Sequence, residues 1–428
     1  MAGPPVRLGR VTDAQSPPPE RRVALVTALV GVAAFVVLAV VLVPWHPVPG
    51  GRLTLPDPAE LFSSAEIARA ESYSRWARVW GWGALGVSLV VVVTLGLSTW
   101  VRSAAGRLPG PWWVRVVLGV AAVTVVVRAA SLPWALAGQV HRRRNGLSTQ
   151  GWTGWATDQV VGLGLSVVMT ALVLLVVVGC ARRWSRAWPA VAGAVLGALV
   201  LLGSFAYPVL VEPLFNSFEP LPAGELRTRV LALADQEGVP VRDVLVSDAS
   251  RRTTTLNAYV SGFGGTRRIV LYDNLVDDLS EDEALSVVAH ELAHARHDDV
   301  LAGSSLGVAG ALVATGLLGL VLGAARTRRR FGTAPVASLP VAVPLLMALV
   351  ALGGVLSTPA QNTVSRQIET RADVDALMAT NDGATFVAMQ RQLSRRALSD
   401  PTPPRWSQLW FGSHPTTLQR VAIAWRVG

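Results

Sequence analysis

Apolar residues run almost unbroken through seven stretches of this chain, at 23–43, 81–100, 114–136, 160–180, 188–210, 301–324 and 339–356. Each is close to the roughly 20 residues that a helix needs to cross a hydrocarbon core about 30 Å thick. The pattern predicts a mainly α protein with a seven-helix transmembrane bundle. Five spans with short loops occupy 23–211, and two more occupy 301–358. Polar character is left to a tail at 1–22 and to two long segments at 212–300 and 359–428. The tail is rich in proline and arginine, and the first span lacks a small-residue cleavage site. It therefore reads as a retained helix rather than a removed signal peptide.

Within 212–300 the period of the pattern changes. Leu226, Val230, Leu233 and Ala234 keep helical spacing until Gly238 and Pro240 stop it. The short β-rich runs DVLVSD, LNAYVSG and RRIVLYD follow, broken by turn residues that include Gly264 and Gly265. The segment reads as a small α+β unit, and it continues into SEDEALSVVAHELAHARH, where Ser280 and Glu283 stand in capping-box spacing ahead of a mostly apolar face.

Composition fixes the medium. Apolar residues make up 51% of the chain and charged residues 15%, with a mean hydropathy of +0.43, which departs from a water-soluble globule. Trp45, Trp80, Trp82, Trp100, Trp112, Trp113, Trp184 and Trp188 fall at span ends and are expected to form an aromatic belt. Arg128 lies well inside the third span; it either faces the bundle interior or snorkels to the interface. The formal charge of +10 comes from arginine alone, in a chain without lysine. With abundant Ala, Val and Gly this suggests a GC-rich coding genome and a bacterial cell membrane, or the endoplasmic reticulum if the source is eukaryotic. The arginines are scattered through short loops and form no basic domain for nucleic acid. Thirteen of them lie in the tail and the second, fourth and sixth loops, against seven in the first and third. Taken alone, that count puts the long polar segments outside the cell. The single cysteine, Cys180, excludes a disulfide framework and a thiolate metal cluster.

The candidate chemistry is HELAH. Four residues advance a helix by one turn, so His290 and His294 project from one face and can grip one Zn²⁺. Glu291, about 100° round, can take a proton from a water at the metal without being a ligand. With six histidines in the chain, the motif is hard to obtain by chance, although a pair of satisfied core histidines is the bland alternative. An open catalytic site needs a third protein ligand. Downstream, VSRQIETRADVDALMA puts Glu369 and Asp373 four residues apart on one helical face. Glu369 can complete the ligand set, while Asp373 can accept a hydrogen bond from a ligand histidine. The competing reading is a solvated acidic face paired with Arg366 and Arg371.

From about residue 132 onward, six ordered blocks resemble the type I CAAX prenyl proteases, integral membrane zinc metallopeptidases of the gluzincin kind. They are GLSTQ at 146–150, PLFNSFEPLPAGEL at 213–226, LNAYVSGFGGTRRIVLYDNL at 256–275, HELAH, ETRAD at 369–373 and SHPTTLQR at 413–420. The resemblance implies a bundle enclosing a chamber, with the zinc site on its wall near the cytoplasmic side, against the arginine count. It implies one Zn²⁺ held by His290, His294 and Glu369, with Glu291 as general base and Asp373 behind the ligands. Asn257 and Ala258 fall on the strand that, in the family, pairs with extended substrate. His414 and Arg420 match the late motif; His414 is expected to donate to the oxyanion and Arg420 to orient the site through a carboxylate. Helix capping and surface pairing are the ordinary alternatives for these two.

One position departs from the prenyl-protease pattern. Asp299 stands nine residues after the first ligand, where a histidine is usual, a choice similar to the smaller heat-shock membrane proteases of the HtpX type. His297, seven residues on, is expected to serve the helix end. The expected partners are a polypeptide substrate, lipidated or otherwise membrane-associated, and membrane lipid; oligomeric state is left open. Two other classes compete: a transporter with a midplane metal site, for which broken spans and internal repeats are not evident, and a catalytically silent metal-binding scaffold.

Overall fold

The structure is a computed structural model that describes residues 19–262, 264–331 and 336–428, so residues 1–18 of the expected tail lie outside the described residues. Seven long apolar helices are present, at Pro19–Leu42, Ser64–Leu97, Trp112–Arg144, Trp152–Arg183, Trp188–Leu210, Asp299–Leu322 and Val343–Thr380. They are referred to below as the first to seventh span helices.

Two of them differ from the hydropathy pattern in an instructive way. The second starts at Ser64, capped by Ser63, whose hydroxyl accepts from the Glu66 amide at 3.3 Å. The residues from 64 to 80 are good helix formers but polar, so their helix stands outside the apolar stretch. The same helix ends at Leu97, because Ser98 turns its side chain to cap Val101 at 3.2 Å and starts a separate short helix, Thr99–Gly106, that carries Trp100. The seventh runs without a break from the bilayer to Thr380. ETRAD is therefore part of the span helix itself, not of a later one.

The span helices touch in a closed order. The fifth packs on the fourth, the fourth on the third, the third on the second, the second on the seventh, the seventh on the sixth and the sixth on the fifth, with the first lying against the sixth and fifth. Such a ring is the arrangement a central chamber requires. Small residues let the helices approach. A Cβ on Gly316 would lie 2.5 Å from the Ala28 backbone nitrogen, and one on Gly193 2.7 Å from the Thr315 hydroxyl. Outward faces remain apolar and bare, with Val40 and Val41 67% and 72% exposed, as a lipid-facing surface demands. Each of the seven is one continuous helix rather than the broken pair of a transporter site.

The aromatic belt needs correction. Trp100, Trp113 and Trp184 are exposed at helix ends. Trp188, however, is fully buried and donates its indole N–H to Glu20 at 2.9 Å. It fills a cluster with Leu174, Val178 and Leu322, where the small side chains of its own helix, Ala192 among them, leave room. Trp82 packs on Trp406 and Phe411, with ring centroids 4.2 and 5.1 Å away. Arg128 turns inward and donates to Gln159 on the fourth span helix, while its buried Nε has no hydrogen-bond partner among the described residues.

Between the fifth and sixth spans lies a four-stranded mixed sheet, β1 (Phe218–Pro220), β2 (Asp243–Ser247), β3 (Ala258–Ser261) and β4 (Arg268–Tyr272), in the order β1-β2-β4-β3. The β2–β4 pair is parallel and the outer pairs are antiparallel. β1 escaped the sequence pattern because three residues ending in proline carry no alternation. Val244, Ile269 and Leu271 from the sheet join Val230, Leu275, Val288 and Leu292 in one core. Leu377 of the seventh span helix, Phe386, Met389 and Ile423 complete it. The C-terminal helices are thereby welded to the sheet and to the end of the seventh span.

Candidate metal centre

The helix Glu281–Arg296 begins with a closed capping box: the Ser280 hydroxyl accepts from the Glu283 amide at 3.3 Å, and Glu283 accepts from the Ser280 amide at 3.0 Å. Val288 and Leu292 are fully buried in the sheet core. His290 lies about 200° round from each of them, so it and His294, one turn later, face the seventh span helix. The long seventh helix delivers Glu369 to the same point. The Nε2 atoms of His290 and His294 are 3.2 Å apart. Glu369 approaches them at 3.2 and 3.7 Å. Donors about 2 Å from a shared tetrahedral centre stand about 3.3 Å from one another, so this spacing fits one metal ion. The donors are two imidazoles and a carboxylate, among which all three ligand atoms lie within 4.8 Å of one another.

Each imidazole is oriented from behind. His290 Nδ1–H donates to Asp373 at 3.0 Å, and His294 Nδ1–H to Asp299 at 2.9 Å. Both bonds leave the Nε2 lone pair pointed at the metal position. Asp373 is fully buried and is held in turn by Arg420, whose Nε donates at 2.9 Å and whose Nη2 donates to the same carboxylate. The Asp299 carboxylate is clamped by Arg371. The acidic-face reading of ETRAD therefore fails. Arg371 goes to Asp299, and Arg366 donates to the carbonyls of Gln408 at 3.1 Å and Gly412 at 2.6 Å. Arg366 thus anchors the loop that brings His414 in.

His414 Nε2 stands 3.4 Å from Glu369, and its Nδ1 is 2.8 Å from the Ser413 hydroxyl. Its side chain is 58% exposed, so one flank of the ligand set stays open. Desolvation of the part of the ring that faces the site lowers the basicity of His414, against the pull of Glu369 and with the help of Arg420 and His290. Glu291 is half-buried, and burial raises its carboxyl above the ordinary range, opposed by His290 and His294. Burial alone would lower His290. Its hydrogen bonds to Asp373 and Glu369 outweigh that and, with no metal bound, hold it up at about 9. A metal entering here must displace that proton.

Ala258 opens β3, the edge strand, and Asn257 precedes it, accepting from the Tyr272 amide at 3.0 Å through its backbone carbonyl. Among the described residues β3 pairs only with β4, and it packs on the histidine helix, so its other edge is free of strand pairing there. His297 ends the histidine helix, where its amide donates to Ala293 and its Nε2 meets Asp375 at 2.7 Å. The sequence pattern missed Asp299 and Arg371 as partners of a ligand. The signal was there in part: a carboxylate five residues past the second histidine, at the place where a histidine is usual.

Comparison with known proteins agrees with this arrangement. Residues 220–425 match the family model of Peptidase family M48, and residues 60–217 match that of the CAAX prenyl protease N-terminal region, five membrane helices. The chain is 30% identical over 386 residues to the uncharacterized metalloprotease YhfN of Bacillus subtilis, covering 87% of this chain and 88% of that one. It is 35% identical over 156 residues to the CAAX prenyl protease 1 homolog of Arabidopsis thaliana, an alignment that spans 36% of this chain and 37% of that one. The crystal structure of S. mikatae Ste24p superposes with a TM-score of 0.75 at 20% identity, covering 94% of this chain and 99% of that one. A multi-pass membrane metallopeptidase is the class that fold and family define together. The chain belongs to the type I CAAX prenyl protease family.

Proposed function

We propose that the chain is a zinc endopeptidase that cuts membrane-associated polypeptides. The observation that carries this reading is the three-ligand set with an open flank, flanked by Glu291 and backed by a carboxylate on each histidine. In this reading His290, His294 and Glu369 hold one zinc ion, a donor set that suits that metal. When bound, the ion supplies a Lewis acid that polarises the scissile carbonyl and lowers the pKa of water.

Glu291 takes the proton of the attacking water and returns it to the leaving amine. His414 reaches over Glu369 from the open flank and donates to the developing oxyanion. Arg420 acts through Asp373, holding His290 in one tautomer. The free edge at Asn257 and Ala258 receives an extended substrate by main-chain pairing. Membrane lipid surrounds the bundle; a bacterial cell membrane is supported by the likeness to a Bacillus chain along most of the length, and we place the site near its cytoplasmic side as the resemblance to the prenyl proteases implies.

Prenylated substrates are one reading, supported by the likeness to the CAAX prenyl protease 1 homologs, which match about a third of this chain. Cleavage of membrane proteins without a prenyl group is the second reading, favoured by Asp299 at the histidine position. The test compares purified wild type with Glu291→Ala on casein and on a farnesylated peptide, with and without a chelator. Wild type is expected to cut in the absence of chelator only, and the variant to lose activity by a factor of at least about 100. Equal cleavage by the two proteins would overturn the assignment, and the preferred substrate separates the two readings.

A further inference from the structure

A cavity of about 530 Å³ opens away from the metal centre, where the end of the fifth span helix and the start of the sixth meet the sheet. One wall is apolar: Phe205, Pro208 and Val209 from the last turns of the fifth span, and Val300 from the first turn of the sixth. Phe205, Val209 and Val300 are 44%, 67% and 56% exposed, unusual for a water-facing surface but ordinary against acyl chains. The opposite wall carries two guanidiniums, Arg242 before β2 and Arg268 at the start of β4.

Local acids reach this pair only through space. Asp243, which also lines the cavity, gives its hydrogen-bonded ion pair to Arg227 at 2.8 Å and feels Arg242 without a contact. Glu212 feels the charge of Arg268 but accepts its hydrogen bond from Ser261 at 3.2 Å. Asp298 pairs with Arg267 at 2.5 Å. Among the described residues, neither Arg242 nor Arg268 has a hydrogen-bonded or ion-paired side chain. Gly262, which lines the cavity, sits at φ +90°, and a Cβ there would lie 2.6 Å from the Thr266 carbonyl oxygen.

We propose that this cavity binds one anionic phospholipid, with its phosphodiester between Arg242 and Arg268 and an acyl chain along Phe205, Pro208 and Val209. Two span ends put the cavity at headgroup depth, where basic pockets between membrane helices recognise acidic lipids. Guanidinium forks match phosphate oxygens in geometry as well as in charge. Such a lipid would tie the β3–β4 turn to the membrane independently of any metal.

Native mass spectrometry of the full-length protein in detergent tests this, with phosphatidylglycerol, phosphatidylcholine and inorganic phosphate as separate additions. Wild type is expected to retain phosphatidylglycerol over phosphatidylcholine, with one molecule bound tightest. Arg242→Gln/Arg268→Gln is expected to lose about tenfold or more of that preference. Arg242→Lys/Arg268→Lys should keep most of the binding, and Arg186→Gln, at the other end of the fifth span, should keep all of it. Equal retention of both lipids, an unaffected double glutamine variant, or displacement of the lipid by millimolar phosphate would each overturn the proposal. The last outcome would mark a site for free anions.

Discussion

Asp299 does for His294 what Asp373 does for His290, and the two carboxylates reach the site by different routes. Asp373 lies on the same helix as Glu369, one turn on, so its place was readable from spacing alone. Asp299 lies beyond a break in the chain. The histidine helix stops at Arg296, Asp298 takes the left-handed conformation at φ +50°, and the sixth span helix begins with Asp299 already turned back toward His294. No periodicity announces such a turn, so a position that looked like a departure from the family pattern proves to be a hydrogen-bond acceptor. Arg371, which the sequence offered as a surface partner for its own helix, is the residue that fixes Asp299. Asp299→Asn keeps an acceptor oxygen but loses the charge that both His294 and Arg371 use. It is expected to weaken zinc binding by about 10- to 100-fold, measured by competition with a chromophoric chelator. Affinity equal to wild type would show that the contact has no bearing on the metal. Glu369→Gln, which removes a charged donor itself, should weaken binding further than Asp299→Asn does in the same assay.

At the level of elements, hydropathy located all seven spans but missed the ends of four helices, the second, third, fourth and seventh, by eight residues or more, and by most at the second and seventh. It measures how long a segment stays apolar, not how long it stays helical. The second span helix extends below the bilayer because residues 64–80 favour a helix without being greasy. The seventh extends because nothing between 357 and 380 stops it, Pro359 included; the span carries that proline within its length. This continuity has a mechanical use, since a single rigid rod sets both the ring closure in the membrane and the position of Glu369. Contacts between rods depend on small residues, and these are legible only once partners are known. Gly316 looks like any other glycine in an apolar run, yet it is where the sixth helix meets Ala28 of the first. Gly316→Leu should force those helices apart and cost about 1–3 kcal/mol, the usual cost of overpacking. It would appear as a lower melting temperature and reduced yield of monodisperse protein, while zinc affinity of the folded fraction stays unchanged. A variant as heat-stable as wild type would mean that the first helix does not rest there.

For the whole molecule, the open question from the sequence was which way it faces. Thirteen arginines against seven argued for polar segments outside the membrane, and the proposed function needs them inside the cell. The structure gives several of the thirteen a local task. Arg102 donates to the Arg330 carbonyl at 2.6 Å and lies over the Phe331 ring, and Arg182 donates to the Ser338 carbonyl at 3.4 Å and lies over Trp112. Arg183 lies over the Trp184 ring, 5.3 Å from its centroid. Such side chains satisfy helix ends and loop carbonyls on that face of the ring, so their number reflects how the bundle is closed as much as how it is inserted. Long polar domains also weaken the short-loop rule. With seven spans, Pro19 and Gly428 lie on opposite sides of the membrane, and Gly428 shares a side with the metal centre through the core that holds Ile423 against the sheet. A fluorescent protein that matures only in the cytoplasm, fused after Gly428 in a bacterial host, should therefore be bright. Alkaline phosphatase fused at the same point, active only once exported, should be silent. The reverse pair of readouts would put His290, His294 and Glu369 on the outer face and restore the arginine count as the better guide to this chain.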